Sequence, residues 1–132
     1  MVFVGQPQVG PFPNVSKFND YFAYLQQQRL PASERYIEPY RHLLPDTGLI
    51  TLSHGDLHPA NILLSVQKPR RVLAIVDWAH AGWYPDYWEY CRAAHTCTWD
   101  GDWRNKWIPQ FIYPRLQEHE VYAEYVAAIG VF

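Results

Sequence analysis

The stretch His54-Gly55-Asp56-Leu57-His58-Pro59-Ala60-Asn61 gathers four side chains capable of chemistry into eight residues, and Asp77 follows sixteen residues after Asn61. An Asp with an Asn five residues later suits phosphoryl transfer. The first carboxylate faces a substrate hydroxyl and accepts its proton, and the amide oxygen faces a magnesium ion held by nucleotide phosphates. A second Asp, at the end of the next hairpin, takes the metals that bridge those phosphates. Carboxylate and amide oxygens are hard donors, as magnesium requires. Each piece alone has an ordinary explanation. A Gly-Asp pair is common turn chemistry, and an Asp after an apolar run can cap a helix. In this order and at this spacing they point to one site.

Such a site needs strands to carry it. Leu49-Ile50-Thr51-Leu52 is a short β-like run that stops at the loop. Residues 61–66 and 72–76 form two more, joined by the polar turn Gln67-Lys68-Pro69-Arg70, and predict a hairpin that returns Asp77 beside Asn61. Helices are expected on either side. Ser16 predicts a cap for a helix through Arg29, with Phe18, Tyr21, Phe22 and Leu25 at helical spacing. Ser33 to Leu44 predicts a second, with Pro39 as a kink or stop. Pro85 predicts the start of a third, holding Tyr87, Trp88, Tyr90 and Cys91. A further segment lies at Trp103–Ile112, and a last helix runs from His119 to Ile129. The fold class expected is α+β, mainly α, as one domain over residues 1–132 with an extended lead-in over 1–15.

His-Gly-Asp-Leu-His-Pro-Ala-Asn-Ile-Leu at 54–63 resembles the catalytic loop of aminoglycoside phosphotransferases, choline kinases and their relatives. Ile75-Val76-Asp77-Trp78 is similar to their metal motif. Gly82-Trp83-Tyr84-Pro85-Asp86-Tyr87-Trp88-Glu89-Tyr90, and the lead-in Gly10-Pro11-Phe12 with Phe18-Asn19, resemble one branch of that family. The resemblance covers nearly the whole chain. It implies the C-terminal lobe of a protein-kinase-like fold, with a small β-hairpin carrying the catalytic and metal motifs. It implies ATP and Mg2+ as cofactors and a small-molecule hydroxyl as acceptor, with no particular acceptor named. Asp56 would be the catalytic base, Asn61 and Asp77 the metal ligands, and His54 a structural support of the loop. His58 would either line the active-site mouth or pack, packing being the favoured place, and a core or cleft-wall place is expected for Trp78, Trp83 and Trp88. Asp86 and Glu89 read as helix-start carboxylates that favour the dipole.

The family's nucleotide lid is not legible. A Gly-rich loop and a strand lysine should precede the catalytic loop. The only lysine before Asp56 is Lys17, inside an expected helix, and only 53 residues precede His54. An N-lobe is therefore expected to be absent, and to be supplied in cis or in trans if the site works. The rival expectation is a non-catalytic remnant or binding module of the same fold. A metal-dependent hydrolase would need more carboxylate or His ligands than this spacing offers. The formal charge of −2 gives no basic excess for nucleic acid or an anionic membrane. Two cysteines, Cys91 and Cys97, are too few for a disulfide scaffold or a zinc site and predict reduced thiols in a cytoplasmic protein. The six Trp and ten Tyr are expected mostly in the core.

Overall fold

The structure, a computed structural model, describes residues 9–98 and 100–130. Among the described residues it is a mixed helix-and-strand fold of three α-helices and two small antiparallel sheets. Helix α1, Val15–Leu25, is capped by Asn14 and not Ser16, because the Asn14 carboxamide oxygen reaches the Lys17 N–H at 2.9 Å. It buries Val15, Phe18, Asn19, Phe22, Ala23 and Leu25. It stops four residues short of Arg29. Gln27 is buried there, and its side-chain oxygen accepts the Tyr36 N–H at 2.8 Å, turning the chain back.

No second long helix forms. Residues 32–44 hold two single 3-10 turns, Ala32–Glu34 and Arg41–Leu43. Pro39 lacks an N–H and drives Glu38 away from helical geometry. The Glu38 carboxylate instead accepts the Tyr40 N–H at 2.8 Å.

Strand β1, Ile50–Ser53, leads into the loop and pairs antiparallel with a strand absent from the expectations, β4, Gly82–Pro85. The register runs Ile50 to Pro85 and Ser53 to Gly82. Pro85 thus closes an edge strand, a place that tolerates its missing donor, and helix α2, Trp88–His95, starts three residues later. The expected hairpin is present: β2, Ile62–Leu64, pairs with β3, Val72–Ile75. The segment after Trp103 is a π-turn, Trp103–Trp107, followed by the 3-10 turn Ile108–Gln110. Helix α3, Leu116–Ile129, begins three residues before His119 and ends on Gly130 in left-handed geometry.

Aromatic rings dominate the core. Phe18, Phe22 and Tyr122 meet Trp88 edge-on, with centroids 5.1, 5.3 and 5.1 Å away, while Tyr84 stacks on it at 4.9 Å. These mixed stacked and edge-on contacts suit the quadrupoles of the rings. Two buried polar groups pair within this layer, whereas the indole nitrogen of Trp103 and Nε2 of His119 find no hydrogen-bond partner among the described residues. The Tyr87 hydroxyl donates to Asn19 at 2.6 Å, and the Asn19 amide donates to the Pro45 carbonyl at 2.9 Å. Trp88 lies in the core, whereas Trp78 and Trp83 are about half exposed. Cys91 is buried in α2 and Cys97 is half-buried beyond its end; both are free thiols, and burial raises the pKa of each. No helix among the described residues is long and apolar enough to cross a membrane.

Candidate active site

The end of β1 delivers the loop, and backbone geometry sets its course. Gly55 adopts φ +79°, and a Cβ there would stand 2.5 Å from the His80 carbonyl oxygen. Only glycine meets both demands, so the loop and the segment after Asp77 touch backbone to backbone. Residues Pro59–Asn61 make one 3-10 turn, which swings Asn61 back under Asp56. The Asn61 amide nitrogen donates to the Asp56 backbone carbonyl at 2.8 Å and lies 3.4 Å from its carboxylate. Among the described residues the Asn61 side-chain oxygen has no hydrogen-bond donor and stands as a free acceptor.

Two hydrogen bonds staple this loop to the second motif. The Val76 N–H donates to the Asn61 carbonyl at 2.9 Å. The His54 Nε2 lies 2.8 Å from the Val76 carbonyl, while its Nδ1 accepts the Asp56 N–H at 3.2 Å. Because Nδ1 accepts, Nε2 carries the proton and donates, so His54 is held as one neutral tautomer. The Trp78 ring stands edge-on to it at 4.7 Å, with its indole N–H on the Ile75 carbonyl. Asp77 follows Val76 directly. It has φ 62° and an exposed side chain, a left-handed geometry that Asp tolerates better than most residues. Asp56, Asn61 and the backbone leading into Asp77 are thus brought together, although among the described residues the Asp77 carboxylate makes no hydrogen bond of its own.

The Asp56 side chain is 25% exposed, open enough to meet a reagent. Beside it stands His58, whose Nε2 lies 3.6 Å from Oδ2. The expectation that His58 packs is corrected: the ring is about one-third exposed and stands beside the carboxylate. Among the described residues no three His, Cys, Asp or Glu side chains gather as a metal site. The donors present are one amide oxygen and one carboxylate. That set fits an ion bound jointly by protein, phosphates and water, the usual situation of magnesium.

Two residues that matter to the loop escaped the sequence. Glu89 does stand in the first turn of α2, but its carboxylate turns to the loop and accepts the backbone N–H groups of His54 and Gly55, the latter at 3.2 Å. Arg92, three residues on, donates from Nε to the Gly55 carbonyl at 2.7 Å. A polar pair at i and i+3 on an otherwise buried helix was the available signal. Asp86 lies before α2 and pairs with Arg115 at 2.9 Å rather than serving the helix dipole.

No curated protein and no solved structure matches the chain. The family model described as the phosphotransferase enzyme family matches residues 9–125, which include every group just placed around the loop. In agreement with its resemblance to aminoglycoside phosphotransferases and choline kinases, the chain belongs to the phosphotransferase enzyme family.

Proposed function

We propose that the chain is the catalytic-loop lobe of an ATP-dependent kinase that phosphorylates a hydroxyl of a small molecule in the cytoplasm. The observation that carries this reading is the pair of bonds through Val76, which ties the Asp56–Asn61 loop to the segment ending in Asp77. Asp56 orients the acceptor hydroxyl and takes its proton. The free oxygen of Asn61 and the carboxylate of Asp77 hold Mg2+ with ATP. When bound, the ion neutralises charge on the phosphates. His54 and Glu89 keep the loop in shape, so little reorganisation is needed when charge develops. A phosphate-holding lysine and Gly-rich loop come from a second lobe, in cis or in trans. The apolar outer surface of β2 and β3, where Leu63, Leu64, Val72 and Leu73 are exposed, supports the existence of such a lobe.

That same surface also favours a second reading, a binding module that keeps the fold without turnover. Phosphate transfer from Mg–ATP by the purified chain separates the two, beside Asp56→Ala and Asp77→Ala variants and with a nucleotide-binding lobe added. Weak transfer by the chain alone, raised by the added lobe and lost in both variants, is expected. Strong transfer without the lobe would overturn the need for a lid. Transfer that survives both substitutions would place the chemistry elsewhere. Its absence under every condition would favour the binding module.

A further inference from the structure

We infer that Arg92 is a positioning residue for Asp56, holding one edge of the peptide plane from which the Asp56 side chain is aimed. Its kinetic consequence rests on the phosphotransferase reading; its structural consequence does not.

The Gly55–Asp56 peptide is gripped at both ends. Its carbonyl oxygen accepts Arg92 Nε at 2.7 Å, and its N–H donates to His54 Nδ1 at 3.2 Å. The following peptide is fixed in turn by the Asn61 amide on the Asp56 carbonyl at 2.8 Å. Gly55 is the weak point of this arrangement. Without a Cβ it has access to broad backbone freedom, so its peptide rotates more readily than that of any other residue unless hydrogen bonds hold it. An external clamp must supply the restraint. Glu89 holds the Gly55 N–H, and Arg92 holds the carbonyl that leads into Asp56. Loss of the guanidinium leaves that carbonyl without its donor and the plane held only at its N–H edge, by His54 Nδ1, so that it can tilt and carry the Asp56 carboxylate with it.

The surroundings of Arg92 fit this task. It is half-buried, yet among the described residues it makes no ion pair; its charge is directed to a backbone carbonyl. A buried cation without a carboxylate is costly unless its donors are used. Its Nη1 stands 3.5 Å from the Tyr122 hydroxyl, at the outer limit of a hydrogen bond, which steadies the fork from α3. Lysine, a single point donor on a flexible stem, cannot reproduce that geometry.

The test uses the full chain with Arg92→Met, Arg92→Lys and Tyr122→Phe. Two readouts are taken: the NMR shifts of the Gly55 carbonyl carbon and the Asp56 amide nitrogen, and Mg–ATP turnover. Arg92→Met is expected to move both signals and to lower kcat roughly 10–100-fold, with KM for the nucleotide changed by about twofold or less. Arg92→Lys should fall between it and the parent, and Tyr122→Phe should stay near the parent, because the Nε contact remains. Should Arg92→Met fail to fold, Arg92→Lys carries the same comparison. Unmoved Gly55 and Asp56 signals, or a kcat equal to that of the parent, would overturn the inference. If the parent shows no turnover while Arg92→Met still moves both signals, the phosphotransferase reading fails and the positioning role stands.

Discussion

Gly55 and Glu89 show how single residues set this loop. At Gly55 the φ of +79° and the 2.5 Å approach of the His80 carbonyl to a virtual Cβ act together. Gly55→Ala should lose about 1–3 kcal/mol from backbone strain alone, and more as His80 is displaced. A lowered urea midpoint, with loss of any Asp56-dependent turnover, is the expected result; an unchanged midpoint would mean that the loop relaxes freely. Glu89 takes two backbone donors with one carboxylate. Glu89→Gln keeps the volume but presents an NH2 to one of those donors. Hydrogen bonds to charged groups are worth about 1.5–3 kcal/mol, so a stability loss of about 1–3 kcal/mol is expected in equilibrium unfolding. Protection of the His54 and Gly55 amides from hydrogen exchange should fall in parallel, and unchanged protection would refute the assignment.

Helices α1 and α3 meet through their aromatic faces. Phe22 contacts Trp88, Tyr122 and Tyr125 with centroids 5.3, 5.9 and 5.0 Å away. Phe22→Ala removes the ring shared by all three. Such truncations cost about 3–5 kcal/mol, a large part of what a domain of this size possesses. Thermal unfolding should show a much lower midpoint or no cooperative transition. Helix α3 also carries a titrating group. Burial first, then the positive charge of Arg104 and the neighbouring His95, push His119 from 6.5 to about 4. Its folded pKa lies below its unfolded one, so the unfolded chain takes up the proton first as pH falls. The cost is absent above about pH 6.5, grows between 6.5 and about 4, and levels off below that. Solvent screening limits the effect to about 1–2 kcal/mol. The urea midpoint should therefore fall from pH 7 to pH 5, and His119→Phe should flatten that part of the slope. An identical slope in the variant would assign the effect to other groups.

Across the whole molecule, apolar surface is distributed unevenly. Most rings of α1, α2 and α3 are covered, Tyr24 excepted, while Leu63, Leu64, Val66, Val72, Leu73 and Ile75 on the hairpin are not. Short two-stranded sheets with open apolar sides invite pairing with another chain. A net charge of −2 gives little repulsion against it. The isolated chain should self-associate in sedimentation experiments, and Leu64→Ser with Leu73→Ser should shift it toward monomer. A compact parent monomer at high concentration would show that this surface is not sticky.

The order and spacing of His54, Asp56, Asn61 and Asp77 were legible in the sequence because they depend on neighbours a few residues away. So was the β2–β3 hairpin, whose two apolar runs flank one polar turn, and so were α1 and α3, whose apolar stripes repeat every turn. Their limits were not, because ends depend on which side chain reaches an orphan backbone group, as Asn14 does for α1 and Gln27 does after it. Pairing of β1 with β4 was invisible. Pro85 reads locally as a helix opener, and its place on an edge strand follows only from the sheet that forms across the loop. Glu89 and Arg92 reach the loop from 35 and 37 residues away. A carboxylate in a helix's first turn serves the local dipole or a distant amide equally well on paper. Only the tertiary structure, by burying the loop backbone against α2 and leaving its polar groups in need of partners, decided between the two.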